Sequence, residues 1–202
     1  KASMGVYIFT WEKLRQYLVE DAEDPNSAND FGKNIIPKML GDEQRMFAYD
    51  FKGYWKDVGT IESLWEANMD LLTLPMPIDL YDTKWRIYGR NPGLAPHFIA
   101  EGASVRNSLI TEGCEVFGNV DHSVIFSGVT IREGATVKDS VVMPGAVIER
   151  GAQVQRAIIS EDAVIGAGAT VGEATGNIAV VGTGVRLSAG GEVKAGEQYA
   201  GQ

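Results

Sequence analysis

Residues 124–171 read VIFSGVTIREGATVKDSVVMPGAVIERGAQVQRAIISEDAVIGAGATV. Aliphatic residues return at Ile125, Ile131, Val137, Val142, Ile148, Val154, Ile159, Ile165 and Val171, in steps of six interrupted by a five. Two places before most of them stands a small residue: Ser123, Ala135, Ser140, Ala146, Ala152, Ala157, Ala163 or Ala169. Three places before stands a glycine (Gly128, Gly134, Gly145, Gly151, Gly168) or one of His122, Asp139, Arg156 and Asp162. A spacing of two puts the small and the aliphatic residue on one side of a short strand. Gly, Asn and Asp adopt positive φ at low cost and so mark the corners. Three units close a triangular coil, and one residue lost per coil shortens the repeat from 18 to 17, the interval from Ile125 to Val142 to Ile159. Such a hexapeptide period predicts a parallel β-helix with the aliphatics stacked in a dry interior.

The pattern extends upstream through Ile99, Val105, Ile110 and Val116, with Ala103, Ser108 and Cys114 as the small residues and Gly102, Asn107 and Gly113 at the corners. It loosens between Val116 and Ile125 and again after Val171, then resumes in sixes at Val181, Leu187, Val193 and Tyr199. This predicts an irregular stretch near residues 173–177 followed by a final coil. Most of the 24 glycines fall in this half of the 202-residue chain.

The formal net charge of −9 disfavours binding to a phosphate backbone, so no nucleic-acid partner is expected. No apolar run reaches the ~20 residues that span a bilayer, and the Lys1-Ala2-Ser3-Met4 opening is not that of a signal peptide. The single cysteine, Cys114, rules out an internal disulfide and fits a reducing cytoplasm. At an inward repeat position it is read as a small core filler.

The first half reads differently. Val6–Phe9 is β-branched and aromatic, as a buried strand is, and Phe47–Phe51 has the same character. Trp11, Leu14, Tyr17 and Leu18 recur at helical spacing. A second helical segment opens at Asp30 and is limited by Pro37. Thr60 is a suitable N-cap for an amphipathic helix over 61–74, with Glu62 at its positive end and Pro75 and Pro77 beyond it. Residues 77–97 read as a linker. One strand and a few helices make no independent α/β core, so residues 1–76 are expected to pack on residues outside this chain.

Three blocks stand in order before the repeats: Ala2-Ser3-Met4-Gly5-Val6-Tyr7-Ile8-Phe9, Asp30-Phe31-Gly32-Lys33, and Gly53-Tyr54-Trp55-Lys56-Asp57-Val58-Gly59-Thr60. With them the chain resembles the C-terminal half of the bacterial glucose-1-phosphate adenylyltransferases (ADP-glucose pyrophosphorylases). The resemblance implies an α/β fragment over 1–76, the end of a Rossmann-like nucleotidyltransferase domain, and a left-handed parallel β-helix over 98–202. It implies an enzyme that joins ATP and glucose 1-phosphate with Mg²⁺, in glycogen biosynthesis, as a cytoplasmic homotetramer. Asp57 matches the metal-binding and catalytic carboxylate and Ser3 the serine that binds glucose 1-phosphate. The family's glycine-rich nucleotide loop, second metal aspartate and phosphate-binding lysine have no counterpart here, so the chain by itself is not expected to be catalytic. No effector-binding basic residues are identified.

Blander roles stand beside these. Asp57 could be a turn aspartate before Gly59, Ser3 a strand-entry serine, Tyr54 and Trp55 packing residues, and Lys33 a partner for a nearby acid. His122 falls at a repeat corner, and some hexapeptide proteins are acyltransferases with a catalytic histidine near a coil. A non-catalytic subunit of the same assembly is the other alternative, but it would be expected to lose the intact block at residues 55–60.

Overall fold

A computed structural model describes residues 3–89 and 92–201. Lys1, Ala2 of the first block, Arg90 and Asn91 of the linker, and Gln202 lie outside the described residues. The chain divides into two compact units, Lys1–Trp55 and Lys56–Gln202.

The second unit is a parallel β-solenoid of six coils. Three six-stranded sheets form its faces. One runs through Phe98–Ile99, Glu115–Val116, Thr130–Ile131, Val147–Ile148, Val164–Ile165 and Arg186–Leu187. The next runs through Ser104–Arg106, Asn119–Asp121, Thr136–Lys138, Gln153–Gln155, Thr170–Val171 and Glu192–Val193. The third runs through Leu109–Ile110, Val124–Ile125, Val141–Val142, Ala157–Ile159, Ala179–Val181 and Gln198–Tyr199. Ile125 pairs with Val142 and Ile158–Ile159 with Val141–Val142, in the predicted 17-residue register. From Val116 to Val193 the predicted inward aliphatics are buried, and so are Cys114, Ser123 and the alanines two places before them. Ile99, in the first coil, has no earlier coil to cover it and stays exposed.

Every predicted corner has positive φ, including the non-glycine residues Asn107, His122, Asp139, Arg156 and Asp162 at 39–55°. Serines stabilise one of these corner columns. The Ser108, Ser123 and Ser140 hydroxyls donate to the carbonyls of Arg106, Asp121 and Lys138 and accept from the amides of Ser123, Ser140 and Ala157 in the next coil. The buried hydroxyls of Ser123 and Ser140 are thereby satisfied in both directions, which removes the cost of burying them.

Both irregularities have a local cause. Between Val116 and Ile131 the coil is 15 residues long, and Val120, missed by the six-residue count, fills the inward place. The tight corner is possible because Gly118 lies against the Ala135 and Arg132 carbonyls, where a Cβ would collide. After Val171 the register widens to 22 residues (Ile159 to Val181, Val171 to Val193), which accommodates the irregular stretch near 173–177.

The third sheet is apolar on both faces. Leu109, Val124, Val141, Ile158 and Val180 point outward and form a second core with helix α3 (Ile61–Asp70) and Leu72. Ile61, Leu64, Trp65 and Met69 give α3 its apolar stripe. The helix stops four residues short of the predicted 74 and closes in turns through Leu72 and Thr73. Thr60 caps it as expected, in a reciprocal capping box with Ser63.

The first unit is helical. It contains α1 (Trp11–Glu23), a π-helical turn (Phe31–Ile35) and α2 (Ile36–Gly41), around a small core of Tyr17, Ile35 and Met39. Two expectations are corrected here. Val6–Phe9 and Phe47–Phe51 form no strand, and Ile8 is 99% and Phe47 87% exposed. A strand is held by ladder partners, and among the described residues these segments have none. Pro37 does not limit its helix but sits at the start of α2, directly after the π-helical turn.

Candidate functional site

Asp57 lies on a turn whose geometry is set by its own side chain. Its Oδ1 accepts the Gly59 amide at 3.0 Å, and Thr60, one residue on, begins the capping box of α3. The carboxylate is exposed. The turn feeds the positive end of a ten-residue helix, which favours negative charge nearby.

Lys56 anchors the same turn from the other side. Its Nζ lies 3.0 Å from Glu66 and 3.1 Å from Asp70, one helical turn apart on α3. Burial alone would lower the Lys56 pKa, but the hydrogen bonds that its ammonium donates to Glu66 and Asp70 outweigh it, and the ammonium is held above the usual lysine range. The sequence reading missed this clamp. Its signal was the pair of acids four residues apart on the face of a predicted helix.

Ser3 belongs to the first unit and is exposed. Its Oγ accepts the Gly5 amide at 3.1 Å, in a turn that Gly5 enters at φ +73°, and lies 2.7 Å from the Tyr7 hydroxyl. Tyr7 stacks on Phe31, which stacks in turn on Phe9. The hydroxyl is therefore held on an aromatic platform. Asp57 belongs to the second unit.

The other residues singled out have structural settings. Cys114 is buried; burial raises its thiol pKa above the ordinary value, and the thiol donates to the Phe126 carbonyl. His122 Nδ1 lies 2.7 Å from Asp139 Oδ1 in the next coil. The Lys33 amide donates to Asp30, which caps the π-helical turn.

Among the described residues no group of three or more His, Cys, Asp or Glu could hold a metal ion. One exposed carboxylate on a rigid turn suits a hard cation that takes its remaining oxygens from phosphate and water. Asp57 therefore fits as one ligand of such a site and not as the whole of it. No helix among the described residues is long and apolar enough to cross a membrane.

Comparison with known proteins places two segments in order along the chain. A nucleotidyl transferase family model matches residues 1–73, and a model described as GlmU-like, C-terminal hexapeptide, matches residues 97–193. A protein of Desulforamulus reducens is 62% identical over 138 residues, which is 68% of this chain and 35% of that protein. Proteins of Clostridium perfringens strain SM101 and Bacillus subtilis strain 168 are 57% and 55% identical, over 68% and 67% of this chain and 36% of their own lengths. All three carry the name glucose-1-phosphate adenylyltransferase. The chain spans about a third of the length of these curated relatives and matches their C-terminal part. Nucleotidyltransferases of this kind generally use a divalent metal.

Proposed function

We propose that this chain forms the C-terminal part of a glucose-1-phosphate adenylyltransferase acting in glycogen biosynthesis: the end of the nucleotidyl-transfer domain, a linker near residues 77–97, and the solenoid. The observation that carries the reading is the intact Asp57 turn, lying inside the nucleotidyl transferase match and ahead of the solenoid, in a chain 55–62% identical to adenylyltransferases over 136–138 residues. In the proposed reaction a phosphate oxygen of glucose 1-phosphate forms a bond to the α-phosphorus of ATP. The bond from that phosphorus to the bridging oxygen breaks, and the electron pair leaves with diphosphate.

Such a transfer needs little covalent work from the protein and much positioning and charge neutralisation. Mg²⁺, held by the Asp57 carboxylate with the nucleotide phosphates, would supply that neutralisation when bound. The task of Asp57 is to present its carboxylate in a fixed direction, for which the Gly59 hydrogen bond and the capped helix provide the frame. Ser3 would donate a hydrogen bond to the phosphate of the sugar. The partners in this reading are ATP, glucose 1-phosphate and further copies of the chain in a cytoplasmic homotetramer.

The test is steady-state diphosphate release by the full-length polypeptide across a Mg²⁺ titration. Asp57→Asn keeps size and hydrogen bonding and removes the charge. It should lower turnover by roughly two orders of magnitude or more, as when a group stabilising the transition state is lost, with the melting temperature unchanged. Ser3→Ala should raise KM for glucose 1-phosphate more than KM for ATP. Parent-like turnover and Mg²⁺ dependence in Asp57→Asn would reduce Asp57 to a turn residue, whereas a parent polypeptide that releases no diphosphate would favour the non-catalytic subunit.

A further inference from the structure

The Asp57 turn is attached to the solenoid through α3, and Trp65 adds polar contacts to the apolar ones of that helix. Trp65, in the middle of α3, reaches the corner column formed by His122, Asp139 and Arg156 in three successive coils. Its Nε1 donates to the Asp139 carbonyl at 2.8 Å, and the Arg156 guanidinium lies over its ring, 4.7 Å from the centroid. Both corner residues are themselves held. The Asp139 carboxylate meets His122 at 2.7 Å, and Arg156 Nε donates to the Gly176 carbonyl at 2.8 Å, in the stretch where the coil lengthens to 22 residues. Ile178, which follows that stretch, is buried against the same helix with Met69 and Leu72.

We propose that Trp65 and Arg156 are positioning residues for the Asp57 carboxylate, a role that rests on the reading of Asp57 given above. The chain of contacts is continuous within the second unit. Arg156 and Asp139 fix Trp65, Trp65 fixes the rotation and height of α3 on the third sheet, and α3 fixes residues 56–60 at both ends of the turn. Thr60 and Ser63 close the capping box on one side, and Glu66 and Asp70 hold Lys56 on the other. The apolar contacts of Met69 and Leu72 resist lifting of the helix but are tolerant of sliding. The directional contacts at Trp65, one hydrogen bond and one cation–π pair, select a single register.

This assigns the corner column a purpose that coil stacking does not require. Arg156 occupies a left-handed corner where glycine is cheaper, and its side chain is the bridge between the helix and the lengthened coil. The sequence showed Arg156 only as a corner residue and an amphipathic helix over 61–74 in which Trp65 was not singled out.

Trp65→Phe removes the donor and keeps the ring, whereas Arg156→Ala removes the cation and the bridge. Both are made in the full-length polypeptide, beside Arg156→Lys as the conservative variant. Val154→Ala serves as a control that weakens the lumen without touching α3. Displacement of a catalytic group by a fraction of an ångström to one ångström reduces turnover by up to about a hundredfold. Trp65→Phe and Arg156→Ala should therefore lower kcat about tenfold or more and raise the Mg²⁺ concentration for half-activation, while KM for ATP changes little. Arg156→Lys should recover part of the loss. In this chain, hydrogen exchange of the α3 amides should quicken in both variants while the solenoid amides hold their protection.

If Trp65→Phe and Arg156→Ala match Val154→Ala in kcat and Mg²⁺ dependence, the positioning role is wrong. Asp57→Asn, run in the same assay, separates the two ideas. An inactive Asp57→Asn with parent-like Trp65→Phe and Arg156→Ala overturns only the positioning inference, and an active Asp57→Asn overturns the reading beneath it.

Discussion

Replacing Val142 by Asp tests the solenoid interior at its centre. Val142 is fully buried, and its partners along the third sheet are Ile125 and Ile159, equally buried. Loss of the valine removes ~1.5–3 kcal/mol of apolar burial. The new carboxyl finds only hydrocarbon and a serine, Ser140, whose hydroxyl is already committed to the Lys138 carbonyl. It folds protonated, because an isolated charge in such a place costs far more than neutralising it. With an unfolded pKa of ~3.9, binding that proton at pH 7 costs ~4 kcal/mol, and the unpaired neutral carboxyl adds ~1–3 kcal/mol. The total is roughly 7 kcal/mol or more at neutral pH, which corresponds to a fall in melting temperature of about 15 °C or more. The sign of the pH dependence follows from the raised folded pKa. The native state holds a proton that the unfolded state has lost, so the deficit grows by ~1.4 kcal/mol per unit as pH rises above the unfolded pKa and nearly levels off below it. Melts of Val142→Asp, Val142→Ala and the exposed Lys138→Asp, each against the parent at pH 4.5 and pH 7, give the measurement. A Val142→Asp variant that melts within a degree or two of the parent, with no pH dependence of the difference, would place Val142 outside the lumen.

Two further outcomes follow from the same geometry. Gly172 has φ +74° and its missing Cβ would meet the Gln155 carbonyl, whereas Gly151 has φ +69° and open space around it. Gly151→Ala should therefore cost only the left-handed backbone term of ~1–2 kcal/mol, and Gly172→Ala at least twice as much by denaturant unfolding; equal costs would mean that the close approach at Gly172 is absent. The exposed Val6, Ile8, Phe47 and Tyr49 should drive self-association of this chain at micromolar concentration, and a clean monomer by sedimentation velocity would count against it.

The solenoid was legible in the sequence because each coil repeats the same three decisions. A single aliphatic could be a coincidence, but Ile125, Val142 and Ile159 recur with their small neighbours and corners, so the period carries the register. Even the non-glycine corners at Asn107, His122, Asp139, Arg156 and Asp162 were found by counting back three residues, and all have positive φ. Val120 escaped because Gly118 shortens its corner and the six-residue step fails there. The outward apolar column escaped for a different reason. Val124, Val141 and Ile158 each stand beside an inward aliphatic, and a search for the inward member treats the second as noise. Two adjacent aliphatics recurring on one face of the triangle were the signal of a covered sheet. In the first half, propensity predicted strands at Val6–Phe9 and Phe47–Phe51, but a strand requires a partner that propensity cannot supply.

The Asp57 turn stands where two kinds of boundary disagree. The nucleotidyl transferase family match ends at residue 73, whereas packing divides the chain at Trp55 and Lys56. The two answer different questions, one about which residues share a chemistry and the other about which share a core. Residues 56–70 satisfy both, because α3 buries its apolar stripe on the third sheet while its capped end carries the Asp57 turn. A carboxylate that must hold a fixed direction benefits from a rigid support. A solenoid whose lumen is filled from Cys114 to Val193 supplies that support better than a short helical unit with a three-residue core. On this argument the solenoid is more than a spacer or an assembly surface. Under the function proposed above, it is the base on which the Asp57 carboxylate is mounted, with Trp65 among the side chains that attach α3 to it.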